Sequence, residues 1–294
     1  MVSGLFLLNP YREYGLRKLF CEKILRIMTA YLFWAIFYTV FSIIEGESQW
    51  KGGSIQDYAI IFVMNIIQGR FHMWFLFMIT GLYLVTPILR QIVKNEKVTI
   101  YFLILWLVFG ILNKLGHLPP AHRILALTTD RMEVRLVIGF SGYFLWGYYL
   151  SRLQLPPLTR KIIYIAGILA AIGTIGLNWI IGYKLDKTGE WMYDNYSPNI
   201  FLMTTAVFVF CQYFFQNRHL SQNWQKIISL VGKWSFGIYL VHIFYLDLFD
   251  IIGLSNFSCH PIVSIPLLTI ACFFASLATV FFLSKIPVVN KYAI

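Results

Sequence analysis

The chain has 294 residues, of which 59% are hydrophobic and 18% aromatic, and its mean hydropathy is +0.68. Soluble globular domains are closer to half apolar, so this composition excludes a soluble protein and predicts a polytopic helical membrane protein. The formal net charge of +11 does not indicate nucleic-acid binding, because the basic residues fall in short loops between apolar segments. That placement is typical of positive-inside membrane topology.

The chain starts with a short apolar segment, MVSGLFLLNP. A bilayer core of roughly 30 Å requires about 20 helical residues, so this segment is too short to cross it. It also lacks the basic region and small-residue cleavage site of a secretory signal. We interpret it as the end of a span whose first half is absent, with a short interfacial anchor as the alternative.

A basic segment, residues 11–26, follows and is predicted to be a loop leading into the first complete span. It contains Arg17, Lys18, Lys23 and Arg26. Such clusters attract phosphate groups, either of lipid headgroups or of a nucleotide. The alternative is a topology signal in contact with anionic lipid.

Apolar segments long enough to cross a bilayer recur along the rest of the chain. We predict an all-α transmembrane bundle with about eight complete spans and the N-terminal partial span, the complete spans being 27–45, 72–89, 98–114, 135–151, 162–182, 198–215, 229–251 and 262–283. The segment 59–69 is too short to span and is predicted to lie at the interface or to re-enter.

The distribution of lysine and arginine predicts the orientation. One set of loops contains sixteen basic residues and the other contains eight, which together are all 24. The richer side is expected to be cytoplasmic. We therefore predict cytoplasmic positions for 11–26, 90–97, 152–161, 216–228 and the C-terminus.

A polar stripe runs along the second predicted span, HMWFLFMITGLYLVTPILR. At offsets of 8, 11, 15 and 18 from His72, helical periodicity places four further residues near one face, namely Thr80, Tyr83, Pro87 and Arg90. Polar groups are costly in hydrocarbon, so such a stripe usually faces a bundle interior or a water-filled cavity. We predict that His72 and Trp74 lie at the outer mouth of this cavity, and ordinary helix packing is the alternative.

The seventh span contains a second polar set in GKWSFGIYLVH. Ser235, Tyr239 and His242 are spaced by 4 and 3, and Asp250 follows at nearly the same angle. A Ser–His–Asp nucleophilic triad is conceivable from this spacing. A polar packing seam or part of a substrate cavity is the preferred interpretation, because residues on one helix face do not readily form a relay.

The fourth span carries Gly139, Gly142 and Gly147 beside aromatic residues, and this pattern predicts close helix packing. The four cysteines are scattered without the spacing of a metal site or a redox pair. The chain contains no Walker loop, GxGxxG, HExxH or CxxC motif, so its motifs do not indicate a bound metal, a flavin or nucleotide hydrolysis.

Seven stretches together resemble the acyltransferase 3 family of bacterial integral-membrane acyltransferases. In chain order they are MVSGLFLL, KILRIMTAYLFW, HMWFLFMITGLYLVTPILR, YFLWGYYL, SPNIFLMTTAVFVF, GKWSFGIYLVH and FFLSKIP. The resemblance covers essentially residues 1–294 as one membrane domain. HMWFLFMITGLYLVTPILR is its most specific part.

The resemblance implies an O-acyltransferase in the bacterial inner membrane, with its C-terminus in the cytoplasm. It would transfer an acyl group, with acetyl as the expected group, from cytoplasmic acyl-CoA to a hydroxyl of an outward-facing cell-envelope glycan. Its partners would be acyl-CoA, the glycan or a lipid-linked sugar, and membrane lipids, with no nucleic acid and no bound cofactor. A histidine would act as general base, and an acyl-histidine intermediate is a second chemical route.

These expectations assign roles to residues already singled out. The basic cluster would bind the donor, and the cavity would be lined by Trp74, Thr80, Tyr83, Arg90, Ser235 and Tyr239. Family members carry an essential histidine in an earlier span that has no counterpart in this chain. We therefore expect an N-terminally truncated domain with little activity, unless His72 or His242 supplies the base. A polysaccharide exporter of the same fold and an inactive family member are the alternatives.

Overall fold

The computed structural model describes residues 1–10, 15–47, 50, 53–112, 139–185, 190–216, 218 and 220–292. The regular elements within these ranges are helices, and no strand occurs among them. In our numbering they are α1 (Val2–Leu7), α2 (Leu16–Glu45), α3 (Ile55–Gln68), α4 (Trp74–Ile92), α5 (Glu96–Trp106), α6 (Phe140–Arg152), α7 (Pro157–Leu185), α8 (Pro198–Gln216), α9 (Gln222–Ile251), α10 (Pro261–Leu283) and α11 (Pro287–Tyr292). Short 3₁₀ turns lie at Phe71–Met73 and Glu190–Tyr193, and α5 continues as a π-helix over Leu107–Ile111.

The predicted all-α transmembrane class is confirmed. Six helices of the described ranges are long and apolar enough to cross a bilayer, and they correspond to six of the predicted spans. The predicted spans 98–114 and 135–151 coincide with shorter helical segments, and residues 113–138 between them lie outside the described ranges. The predicted interfacial segment 59–69 falls largely within α3, a helix of 14 residues.

Helix α2 shows the inverted polarity of a membrane helix. Its buried face includes the hydroxyl-bearing residues Tyr31, Tyr38, Thr39 and Ser42, whereas Leu32, Phe33, Ile36 and Val40 are exposed. Apolar side chains directed outward are favourable only where the surroundings are lipid. The polar groups therefore face protein, and this face carries part of the candidate site.

The prediction of a loop over residues 11–26 is wrong for residues 16–26. Residues 16–26 are helical, with a π-helix over Leu19–Ile24, and they continue without a break into the span. Residues 11–14 lie outside the described ranges. The basic side chains interrupted the apolar pattern that identifies a span, but they are compatible with helical backbone.

The chain divides into two compact units, one of Met1–Glu13 with Leu84–His219 and the other of Tyr14–Tyr83 with Leu220–Ile294. In the first unit α1 lies against α6 at two glycines. A Cβ atom on Gly4 would be 1.9 Å from the Phe144 carbonyl oxygen, and one on Gly147 would be 2.4 Å from that of Met1. A Cβ on Gly142 would be 2.0 Å from the Trp106 ring. The prediction of close packing is confirmed for Gly142 and Gly147 but not for Gly139, where a Cβ would lie 3.7 Å from the Ser141 Oγ, an ordinary contact.

We expect Gly4→Ala to lower the free energy of unfolding by about 1–3 kcal/mol, because backbone at this distance must move to admit a methyl group. Gly173→Ala is the control, since no atom lies within 4 Å of a Cβ built there. The control should be neutral or stabilising by up to about 1 kcal/mol, as alanine is the better helix former. Thermal unfolding in detergent measures both, and equal melting temperatures would contradict the packing account.

Candidate active site

The second unit brings His72 to a sharp turn between two helices. Helix α3 ends at Gln68 and is followed by Gly69, whose φ of 66° lies in the left-handed region that glycine adopts freely. The Tyr31 hydroxyl donates to the last carbonyls of α3, at 2.9 Å to Ile66 and 2.6 Å to Ile67. The chain then enters the 3₁₀ turn Phe71–Met73, which carries His72.

His72 and His242 lie side by side, although 170 positions separate them in the sequence. Their ring centroids are 5.3 Å apart. The rings of Tyr38 and Tyr239 each lie 5.5 Å from that of His72, and the Tyr239 hydroxyl donates to the His72 backbone carbonyl. Two imidazoles thus meet within an aromatic, hydroxyl-bearing cluster.

The His72 side chain is buried without a hydrogen-bond partner. The residue is only 6% exposed, and neither Nδ1 nor Nε2 has a partner among the described residues. The Leu240 carbonyl lies near this ring and accepts from the Tyr38 hydroxyl, and neither His72 nitrogen meets it with hydrogen-bond geometry. Since a buried polar group normally has a partner, His72 is suited to a substrate group or water.

His242 has a defined tautomer. Its Nδ1 lies 2.5 Å from the Tyr239 carbonyl oxygen. A carbonyl oxygen only accepts hydrogen bonds, so Nδ1 carries the proton in this contact. In the neutral ring Nε2 then holds the lone pair, which is the arrangement of a general base.

Tyr38 fixes the turn of α9 that carries His242. Its hydroxyl donates to the Leu240 carbonyl at 2.6 Å and accepts from the Phe244 N–H at 3.3 Å. These are the carbonyl and the N–H of one i to i+4 pair of the α-helix, so the hydroxyl bonds to both of them. The contact couples α2 to the helical turn around His242.

Arg70 clamps the two histidine-bearing segments. Its Nη1 lies 3.0 Å from Glu47 Oε1 and its Nη2 lies 2.8 Å from Asp247 Oδ2. Arg70 precedes His72 by two residues, and Asp247 follows His242 by five. The Asp247 pair therefore joins the turn of His72 to the helix of His242.

Asp247 is a site residue that the sequence predictions missed. It lies within the apolar span 229–251, and an ionisable group inside a span is a functional candidate by default. The sequence contained this signal, but Asp250 on the same span was singled out and Asp247 was not considered.

A small polar cavity borders the ion pairs. Its volume is about 80 Å³. It is lined by residues of α2, α3 and the connecting segments, namely Ala35, Tyr38, Thr39, Ser42, Glu47, Asn65, Gly69 and Arg70.

The triad hypothesis is wrong. Ser235 is exposed and donates to the Gly232 carbonyl at 2.9 Å, while Asp250 is exposed near the other end of α9. The His242 Nδ1 meets a carbonyl instead of a carboxylate. Among the described residues, no three His, Cys, Asp or Glu side chains form a group that could hold a metal ion.

The residues of the predicted stripe along α4 differ in exposure and in their contacts. Thr80 is half-buried, with its hydroxyl 4.0 Å from the Met28 sulfur, and Tyr83 is also half-buried. Trp74 is 49% exposed, whereas His72 is 6% exposed, because two helical positions are separated by about 200°. Arg90 belongs to the first unit, where its Nη2 donates to the Asn9 carbonyl at 3.0 Å.

The predicted donor-binding residues, Arg17, Lys18, Lys23 and Arg26, are all exposed on the first three turns of α2. Tyr38 follows Lys23 by 15 residues on the same helix, a distance of roughly 22 Å. The basic cluster and the imidazole pair therefore lie toward opposite ends of one span.

Comparison with known proteins identifies the family. A family model described as an acyltransferase domain, Acyl_transf_3, matches residues 1–285. Searches of curated proteins and of solved structures found no significant match. Since the family model covers nearly the whole chain, the protein belongs to the acyltransferase 3 family of membrane acyltransferases.

Proposed function

We propose that this chain transfers an acyl group, acetyl in the first instance, from acyl-CoA to a hydroxyl of a cell-envelope glycan. One observation carries the proposal: a buried imidazole without a hydrogen-bond partner among the described residues lies beside a second imidazole whose Nε2 is free of the ring proton. An unsatisfied buried polar group destabilises the fold by about 1–3 kcal/mol, and a bound hydroxyl would relieve this. Acyl transfer requires such a base at the acceptor.

In this scheme His242 is the general base. Its Nε2 accepts the proton of the acceptor hydroxyl while the oxygen attacks the thioester carbonyl carbon. The new C–O bond forms, the C–S bond breaks, and the CoA thiolate takes the proton from His242. The products are the O-acyl ester and free CoA, so atoms and charge balance.

His72 holds the reacting group in this scheme. A neutral imidazole has one N–H donor and one acceptor nitrogen, so it can bind the hydroxyl or the thioester oxygen. The tyrosine hydroxyls around it are engaged with backbone carbonyls of His72 and Leu240. They therefore fix the geometry and leave the imidazoles to meet the substrate.

The proposal is that the chain is active, with the base supplied by the histidine pair. The pairing of His72 with His242 offers an imidazole base within the chain itself.

The basic cluster at the start of α2 is proposed to bind the phosphates of acyl-CoA. The four cations are exposed, so they are accessible to a polyphosphate. The long pantetheine arm would then carry the thioester along the span toward the histidines. In this proposal the donor binds from the cytoplasmic side and the acceptor from the opposite side of the inner membrane.

We expect the double variant Lys23→Gln/Arg26→Gln to raise the KM for acetyl-CoA about three- to tenfold, since an exposed charge contributes up to about 1 kcal/mol. The KM for the acceptor should not change. Lys94→Gln is the control, an exposed cation outside the cluster. Steady-state kinetics at low salt measure the effect. An unchanged KM for acetyl-CoA would indicate that the cluster determines membrane topology and does not bind the donor.

The proposed orientation predicts which engineered cysteines react from outside. In a background without the four native cysteines, an impermeant maleimide on intact cells should label Gly53→Cys and spare Lys94→Cys. Both positions are exposed, so accessibility alone does not distinguish them. Labelling at position 94 in intact cells would contradict the orientation.

A direct test of the function uses the purified chain in liposomes with labelled acetyl-CoA and a soluble glycan. We expect label in an alkali-labile ester together with release of CoA. Movement of glycan across the bilayer without acyl-CoA would instead indicate an exporter.

A further inference from the structure

We infer that the polar cavity beside Arg70 binds an uncharged edge of the acceptor sugar, two adjacent hydroxyl-bearing carbons, and selects against anionic sugars. The inference rests on the proposed function, because it names the acceptor subsite of the same site. Its lining residues are Thr39, Ser42, Glu47, Asn65 and Arg70, with Tyr38 shared with the histidine cluster.

The size of the cavity defines what it can hold. A water molecule's share of liquid volume is about 30 Å³, so a volume of about 80 Å³ takes the equivalent of about two to three waters. This matches a –CHOH–CHOH– unit and is too small for a whole pyranose ring. A cavity lined by polar groups requires a polar occupant, so a lipid tail is a poor fit.

The lining has the hydrogen-bonding groups that hydroxyls require. The Thr39 hydroxyl donates to the Ala35 carbonyl at 2.7 Å, which leaves its oxygen able to accept. Asn65 supplies an amide, with two donors and one acceptor oxygen. The two ion pairs of Arg70 engage only part of its five N–H donors.

A tryptophan lies next to this lining. The Trp50 Nε1 donates to the Ser42 hydroxyl oxygen at 3.0 Å. An indole combines an apolar face with a polar edge, which suits the mixed C–H and O–H surface of a sugar. The contact brings an aromatic ring to the same end of α2 as the cavity.

The charges favour an uncharged occupant. The guanidinium of Arg70 already faces two carboxylates, those of Glu47 and Asp247. Glu45 and Asp250 also act electrostatically on this group of charges. A sugar carboxylate or phosphate would therefore meet more negative than positive charge, and like charges in contact oppose binding.

The cavity shares Tyr38 with the histidine cluster. Arg70 precedes His72 by two residues, and the Tyr38 ring lies 5.5 Å from the His72 ring. A sugar edge seated in the cavity would present its neighbouring hydroxyl to the imidazole pair. Thr39, Asn65 and Glu47 would then determine which acceptor is used without taking part in the chemistry.

The test compares two threonines that differ in position alone. Thr39 and Thr269 each donate to the carbonyl four residues earlier at 2.7 Å, but Thr39 is buried in the cavity lining and Thr269 is exposed on α10. The variants are Thr39→Val and Asn65→Ala, with Thr269→Val as the control. The probes are methyl glucoside and methyl glucuronide, which differ in the carboxylate at C6.

Binding of each probe to the full chain in nanodiscs is measured by saturation-transfer NMR without a donor, and acetyl transfer is measured separately. We expect Thr39→Val and Asn65→Ala to weaken methyl glucoside binding about three- to tenfold each, as expected for one neutral hydrogen bond. Thr269→Val should bind as the parent does. Methyl glucuronide should bind at least about tenfold more weakly than methyl glucoside.

Measuring probe binding and acetyl transfer separately distinguishes failure of the proposed subsite from failure of the proposed function. Binding that weakens as expected, without any ester formation, would support the subsite and overturn the proposed function. Ester formation with an unchanged acceptor KM in Thr39→Val and Asn65→Ala would overturn the subsite and leave the function standing. Equal binding of the two probes would overturn the charge selectivity, and binding of neither would overturn the subsite.

Discussion

His242→Gln is expected to lower kcat for acyl transfer by about 10²- to 10⁴-fold, the usual contribution of a general base. The glutamine amide can still donate to the Tyr239 carbonyl, but it has no basic nitrogen in place of Nε2. The KM for acyl-CoA should change little, because the proposed donor site lies at the other end of α2. Steady-state transfer assays with the purified variant in liposomes measure both constants.

His260→Gln is the control for this prediction. His260 is an exposed histidine that precedes α10 and lies outside the imidazole pair, so its variant should keep parental transfer. His72→Gln should also lower transfer, while its expression and thermal stability stay close to those of the parent. Loss of folded protein together with the activity would support a packing role for His72 instead.

Asp247→Asn is expected to have the second-largest effect. The change removes one of the two ion pairs of Arg70, at 2.8 Å, and leaves a partly buried guanidinium with Glu47. We expect the free energy of unfolding to fall by about 1–3 kcal/mol. We also expect kcat to fall about 10- to 100-fold, because the ion pair no longer fixes the positions of His72 and His242 relative to each other.

Asp250→Asn provides the matched control on the same helix. Asp250 is exposed, so its variant should stay within about 0.5 kcal/mol of the parent and keep its activity. Thermal unfolding and transfer kinetics are measured on both variants. If Asp247→Asn lost stability but kept the parental kcat, the ion pair would serve the fold without positioning the histidines.

The fold class could be predicted because it depends on composition and on the length of apolar segments. The close packing at Gly142 and Gly147 could also be predicted, because small residues within an apolar span allow two helices to approach closely. The helical stretch 16–26 could not, because Arg17, Lys18, Lys23 and Arg26 interrupt the hydropathy pattern without interrupting the backbone. Arginine and lysine lower the hydropathy of a segment, but both are good helix formers, so hydropathy alone does not show that the segment is helical.

Single residues of the site could be identified from the sequence, but their contacts with one another could not. His72 and His242 were each singled out as polar residues in apolar spans, but no local periodicity brings residues 170 positions apart into contact. Arg70 was counted as a loop charge, and only the tertiary structure pairs it with Glu47 and Asp247. Tyr38 was not singled out, because a tyrosine within a span more often packs than bonds to the backbone of a neighbouring helix.

The central claim is that an acyltransferase base resides in the His72–His242 pair of this chain. The most direct measurement is acetyl transfer from labelled acetyl-CoA to a soluble glycan, by the purified parent and by His72→Gln/His242→Gln, each reconstituted in liposomes. We expect the parent to form one O-acetyl ester for each CoA released, and the double variant to form essentially none while unfolding at a similar temperature. Equal ester formation by the two proteins, or none by a correctly folded parent, would contradict the claim.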